Sequence, residues 1–450
     1  MTTRLIIGII LVFLTALPSL AERPRPLGWG LDAMRDGDWG AAARIAARDG
    51  EVAADVIEWA RLRRGLGNYE EVGAFLTRRP NWPGERYLRR KSEVAVLGQS
   101  DAVVLEFFAT IPAQTPAGVL RLGKALRNSG QPDEADAIIT GGWRNLPMNA
   151  SEQARFLELH GKLIEPHHDA RLDAMLWRGA MENARRMFGI ASAGATAAAK
   201  ARIALRGRQK GVDGLIAKIP DSHADDPGLQ YERFVWRARR GRTESAIELL
   251  LQTSVSAEAL GRPDEWANRR RSLARMEMRE GNPERAYEIA ARHFMTAGSG
   301  YTDLEWLSGY IALTKLNEPE TALMHFNNHN AAVQSPISKG RAGYWRGRAL
   351  EDMGDPAAAD QAYLDAAQYQ TSFYGLLAAE RAGVPFDTAR GANGPAGQWE
   401  VSALAKRPLF QAGMLLQASG ELMLAERFWT HLAESLSEED ASWLAQAALD

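Results

Sequence analysis

A few constellations in this chain have residue types at a spacing that permits chemistry. His325 and His329 stand four apart, on one face of any helix, which is a workable zinc pair. No His-Glu-x-x-His pattern accompanies them and no third ligand is evident, so packing is the competing reading. His167 and His168, with Glu165 and Asp169, also combine ligand types, but adjacent histidines point apart. Gly118-Val119-Leu120-Arg121-Leu122-Gly123-Lys124-Ala125 nearly matches a phosphate-binding loop. It ends in Ala where Ser or Thr would hold Mg²⁺, and it lies in a helical pattern with no strand before it. Glu438-Glu439-Asp440 is a charge run that suits a helix N-terminus. The chain has no Cys, which excludes thiol nucleophiles, disulfides and Cys-ligated zinc. The residues by themselves therefore give no catalytic, cofactor-binding or metal-binding assignment, and no cofactor is expected.

Two further groups stay open. Trp59, Trp82, Trp236, Trp306 and Trp345 can pack between helices or stack on sugar faces. The runs Arg237 to Arg242 and Arg269 to Arg271 read either as solvated helix faces or as basic patches for anionic glycan peptides.

The elements that must position these residues read as helical hairpins. Ala, Leu, Arg and Glu dominate, and apolar residues recur at three and four, as in Ala342, Trp345, Ala349 and Leu350. Gly130-Gln131-Pro132-Asp133-Glu134-Ala135, Gly281-Asn282-Pro283-Glu284-Arg285-Ala286 and Gly354-Asp355-Pro356-Ala357-Ala358-Ala359 share one turn, and Asn317 to Ala322 repeats it with Asn for Gly. Gly or Asn ends one helix in the left-handed region. A polar residue caps the next, Pro fits its first turn, and Ala lets the two helices approach. Turn signals at Gly37, Gly67, Gly98, Gly130, Gly241, Gly281, Asn317, Gly354 and Gly420 recur about every 30 to 40 residues, the period of two-helix solenoids of the tetratricopeptide type. The expected fold is all-α.

Composition fits an ordered globular chain: 46% hydrophobic, 24% charged, net charge −2, with no basic field for nucleic acid. Arg4, the apolar run Leu5 to Leu17, Pro18 and the small residues Ser19 and Ala21 form a secretory pattern, so 1–21 is expected to be a cleaved signal peptide rather than a stable membrane anchor.

Four segments, in this order, carry a family resemblance. They are Trp59-Ala60-Arg61-Leu62-Arg63 with Arg78-Arg79-Pro80-Asn81-Trp82-Pro83-Gly84; Asp226-Pro227-Gly228-Leu229-Gln230-Tyr231-Glu232-Arg233 with Trp236; Leu304-Glu305-Trp306-Leu307-Ser308-Gly309-Tyr310; and Ser335-Pro336-Ile337-Ser338 with Arg341 to Ala349, closing at Ser372-Phe373-Tyr374-Gly375. On these segments the chain resembles the soluble lytic murein transglycosylases. The resemblance implies that the hairpins curve into a superhelical ring over 22–385, that 386–400 connects, and that 401–450 starts a linker helical domain and is truncated. It implies a periplasmic protein acting on peptidoglycan glycan strands, with periplasmic cell-wall proteins as further partners. The implied reaction is non-hydrolytic cleavage of the MurNAc-GlcNAc β-1,4 bond to 1,6-anhydromuropeptides by a single Glu.

That Glu belongs to a Glu-Ser pair followed some way on by Gly-Leu-Met-Gln. Here Glu244-Ser245 sits in a solenoid turn and Glu434-Ser435 lies near Asp450; neither is followed by that run. The expectation is a scaffold portion without the catalytic Glu. The alternative is a catalysis-free periplasmic solenoid that binds peptidoglycan or protein partners.

Overall fold

The computed structural model describes residues 25–387 and 399–449. The expected signal peptide, 1–21, and most of the connecting segment, 386–400, lie outside the described residues. Helices joined by short turns account for the fold, and no strand occurs among the described residues. No described helix is long and apolar enough to cross a membrane.

The shared turn works as its residue types dictate. Pro132, Pro283, Pro319 and Pro356 each occupy the first position of a helix, where the missing amide has no partner to lose. The Ala three residues on is the contact point: Ala135, Ala286 and Ala322 are fully buried and Ala359 nearly so. Gly281 and Gly354 adopt positive φ at the end of the preceding helix, and Asn317 does the same at φ 57°. The first hairpins depart from this. At the end of Glu51–Leu62 the left-handed residue is Gly65, not Gly67; Gly67 instead leaves room for the Leu62 side chain, which a Cβ there would strike.

A second device explains the many arginines. Guanidinium groups reach across to carbonyls at or just past helix C-termini, where intrahelical donors run out. Arg121 donates to Leu97 and Gln99, Arg206 to Leu176 and Arg270 to Ile289. Arg171 donates to Trp143 and Leu146 and lies over the Trp143 ring at 4.5 Å. Burial lowers the Arg171 pKa to about 10 and that of Arg270 to about 9, so both remain charged at neutral pH.

The described residues form two compact units. One contains the chain to Ala135 together with 399–449; the other runs from Asp136 to 387. This grouping differs from the division expected from sequence, which set 401–450 apart from 22–385. The reason is apolar packing far apart in sequence. Phe428, on the helix Leu422–Ala433, is fully buried against Trp59 and Trp82, with ring centroids 5.1 and 5.2 Å away. Trp443, Leu444 and Ala447 are buried with Leu404, Phe410 and Leu432 in a satellite core of the same unit.

The second unit is built from stacked hairpins between Asp136 and Arg381. One core joins Phe234, Ile247, Trp266, Ile289 and Leu304; another joins Phe326, Tyr344, Trp345, Tyr363 and Ala366.

Candidate functional site

Of the four segments that carry the resemblance, the first, second and fourth contain turns or caps that start helices, and the third lies inside the helix Gly298–Ile311. In the first, Asn81 and Gly84 both take left-handed φ, so that Trp82 turns inward onto Phe75, at 5.5 Å, and is 4% exposed. The Trp59 indole donates to the Pro83 carbonyl at 3.0 Å, and the His431 ring donates to the Asn81 carbonyl at 2.7 Å. In the second, Asp226 caps the helix Pro227–Arg239 through the Leu229 amide. Gly228 is required because the Arg202 guanidinium lies where its Cβ would be. In the fourth, Gly343 and Gly347 let Ala366 and the Tyr363 ring seat directly against the helix Pro336–Asp352.

The third segment holds the most concentrated set of titratable groups. Glu305, 5% exposed, receives His293 Nε2–H at 3.1 Å on one carboxylate oxygen. The other oxygen takes His325 Nδ1–H at 2.7 Å and Asn328 Nδ2–H at 3.2 Å. His293 Nδ1 accepts the Met295 amide, which fixes this ring as the neutral Nε2–H tautomer. His325 Nε2 meets the Tyr287 hydroxyl at 3.0 Å. Burial pushes the Glu305 pKa up, but the two histidine hydrogen bonds outweigh it and hold the group at about 2.

A glycosidic general acid needs the reverse: a carboxyl kept protonated near neutral pH, beside a cleft that admits sugar. Glu305 is ionised and enclosed. Burial does raise the pKa of Glu93 and of Asp226, against hydrogen bonds from Thr115 and Gln114 in the first case and the Arg202 charge in the second. Glu93 is 2% exposed and holds the Gln114 and Thr115 amides, so it tethers the chain entering Pro116–Asn128. Asp226 lines a cleft of about 280 Å³ with Asp169, Asp173, Arg202 and His223. That volume falls just below the ligand-site range of about 300–1,000 Å³, and Asp226 is already engaged as a helix cap.

The residues singled out from sequence fall into place individually. His325 and His329 are both buried, but His329 Nδ1 donates to the Thr302 carbonyl while His325 turns to Glu305. Among the described residues no three His, Asp or Glu side chains are placed to hold a metal ion. His168 contacts the Ile190 carbonyl and the Trp143 ring, and Asp169 accepts the Ser192 amide. Gly118 to Ala125 lies inside Pro116–Asn128, so its amides are helical and cradle nothing. Glu244 pairs with Arg285, and Ser245 Oγ donates to the Arg242 carbonyl. Glu434 lies 3.7 Å from His431, and Ser435 Oγ donates to Leu432. In the acidic run, Asp440 pairs with Arg407 at 2.7 Å.

The tryptophans pack. Trp59, Trp82 and Trp345 are buried. Trp236 and Trp306 are partly buried and carry cations on their faces, Arg240 and Arg242 on the first and Arg341 on the second. Of the arginine runs, Arg237 is tied to the Ser245 carbonyl, Arg270 is internal and Arg271 pairs with Asp303. His293 and Asn328 were not legible as partners of Glu305, nor Tyr287 as a partner of His325; the His325 spacing marked a helix face and nothing across from it.

No family model matches the sequence, and no curated protein matches it. Solved structures do match. The chain is similar to an inactive mutant of the lytic transglycosylase Slt from Pseudomonas aeruginosa at 18% identity and a TM-score of 0.57, over 95% of this chain and 69% of that one. It also matches the 70 kDa soluble lytic transglycosylase from Escherichia coli at 18% identity and a TM-score of 0.49, over 96% of this chain and 68% of that one. The likeness to Slt is one of fold.

Proposed function

We propose that this chain is the helical scaffold of an exported lytic murein transglycosylase. The observation that carries the reading is the fold match to Slt across 95% of the chain, together with the order of the four segments. In such an enzyme the scaffold holds a peptidoglycan strand or positions a catalytic domain. The chemistry is cleavage of the MurNAc-GlcNAc bond by one Glu acting as acid and then as base, with the muramoyl 6-hydroxyl as nucleophile, in contrast to the usual two-carboxylate arrangement. The secretory pattern at 1–21 supports the periplasm as the site of action.

The second reading is a catalysis-free solenoid for peptidoglycan or protein partners; the engagement of Glu244 with Arg285 supports it, because that Glu-Ser pair is then structural. Both readings make one statement about residues 22–450: incubated with purified murein, the chain releases no anhydromuropeptide, while co-sedimentation tests peptidoglycan as a direct ligand. Release at rates near those of intact lytic transglycosylases would overturn the assignment of a scaffold without catalysis. Failure to co-sediment would remove peptidoglycan as a direct ligand. Sequencing the locus past codon 450 separates the two readings, because an open frame with Glu-Ser and Gly-Leu-Met-Gln supports the first and a stop codon the second.

A further inference from the structure

The unit that contains the N-terminal helices also collects cations that, among the described residues, no carboxylate pairs with. Tyr87, on the helix Glu85–Val96, is 40% exposed and stands at the centre. The Arg63 guanidinium lies 4.8 Å from its ring centroid, Arg90 5.4 Å and the Lys91 ammonium 5.7 Å. Arg63 also covers the Trp59 ring at 4.6 Å, and Arg64 stacks on Trp39 at 4.9 Å. Arg427, one residue before Phe428, completes the set. The Arg63 pKa is lowered by burial and then by repulsion from Arg427.

Stacking on a ring accounts for one cation, and a solvated helix face accounts for Arg90 and Lys91. Neither accounts for the missing counter-charges. The acids on the same helices are engaged elsewhere: Glu58 with Arg78, Glu71 with Arg61 and Glu85 with Arg89. Glu93 senses the Arg90 charge, but its oxygens hold Gln114 and Thr115. Glu426, beside Arg427, lines a groove with Trp429 and Leu444. Arg63 is held by Nη1 donating to the Pro83 and Gly84 carbonyls at 3.1 and 3.4 Å, which fixes the plane of its fork.

We propose that Arg63, Arg64, Arg90, Lys91 and Arg427 form a docking surface for an acidic peptide segment, one that presents neighbouring Asp or Glu carboxylates. Four of the five cations are arginines, and at least one fork is oriented in advance, which suits bidentate recognition of planar carboxylates. Leu66 and Val94, 50% and 62% exposed, stand on the same elements and offer apolar contact to such a segment. An anionic lipid surface, which attracts Lys and Arg alike, is the competing partner, and the vesicle arm of the test separates the two.

The test uses the full chain and hexaglutamate as probe, followed by isothermal titration calorimetry at about 25 and about 250 mM salt. Binding is expected at low salt and should weaken about tenfold or more at high salt. The charge-reversed pair Arg90→Glu/Arg427→Glu, both exposed, should weaken binding about tenfold or more with an unchanged helical circular-dichroism spectrum. The control pair Arg155→Glu/Arg185→Glu makes the same change of net charge at exposed positions in the other unit and should leave binding within about twofold. Absence of binding at low salt overturns the proposal, as does equal weakening by the control pair. Sedimentation with phosphatidylglycerol vesicles that the Arg90→Glu/Arg427→Glu pair abolishes, without hexaglutamate binding, assigns the surface to lipid and also overturns it.

Discussion

Trp59 and Phe428 meet edge to face with their ring centroids 5.1 Å apart, which ties the helix Leu422–Ala433 to Glu51–Leu62. Phe428 is completely buried there. Phe428→Ala removes its packing against two indoles and should cost about 3–5 kcal/mol. Arg35 and Glu421 also join the two ends of this unit, but Arg35 is half exposed, so Arg35→Ala should cost less than about 1 kcal/mol. Urea unfolding followed by tryptophan emission measures both. Equal losses would mean that the apolar contact does not dominate this joint.

Glu305 gives the fold a defined acid limit. Its pKa lies near 2 in the folded chain against an ordinary 4.5, so the unfolded state takes up its proton first as pH falls. The resulting stability is fully present above about pH 4.5, is lost progressively toward pH 2, and amounts to about 3 kcal/mol at most. Glu305→Gln cannot lose it again. The difference in unfolding free energy between wild type and variant should therefore shrink as pH falls from about 5 to about 3. A difference that stays constant over that window would show that the histidine contacts do not depress this carboxyl.

What the sequence made legible is what local physics decides. Pro132, Pro283, Pro319 and Pro356 start helices because a missing amide is harmless only there, and the buried Ala residues follow from the close approach of two helices across a short turn. Gly65 was missed because two glycines stand in one turn, and only the position of the Leu62 side chain decides which takes positive φ. The contact of Phe428 with Trp59 and Trp82 was missed because nothing in either segment specifies a partner so distant in the chain. The Glu305 cluster was half visible. The spacing of His325 and His329 marks one helix face, but His293 and Tyr287 come from the preceding hairpin, and hydrogen bonding across helices has no sequence period.

Arg270 is a buried cation with no carboxylate in contact. It donates to the Ile289 carbonyl at 2.8 Å and to Ser254 Oγ at 2.6 Å. An uncompensated buried charge is costly, and an apolar side chain of similar length relieves that cost. Arg270→Met should therefore be more stable than Arg270→Lys, by about 1–4 kcal/mol, because Lys keeps the charge and loses the fork. Thermal unfolding ranks the two. A Lys variant equal to or better than Met would show that charge at the helix C-terminus matters more than its desolvation.

Two glycines in the second unit should respond in opposite directions to the same substitution. At Gly375, in the first turn of Phe373–Arg381, an added Cβ would lie 1.9 Å from the Tyr369 carbonyl oxygen and 2.4 Å from its carbon. Those atoms are backbone, so relief requires the chain before the helix to move, and Ser372, whose hydroxyl accepts the Gly375 amide, would move with it. Gly375→Ala should cost at least about 1–3 kcal/mol. Gly141 sits inside Pro132–Asn145 with nothing within 4 Å of its added Cβ, so there Ala gains helix propensity, about 0.5–1 kcal/mol. Paired thermal melts of the two variants give the sign of each change. A neutral Gly375→Ala would mean that the Ser372-Phe373-Tyr374-Gly375 turn is not fixed by close backbone approach, and the physical reason for glycine in that segment would fail.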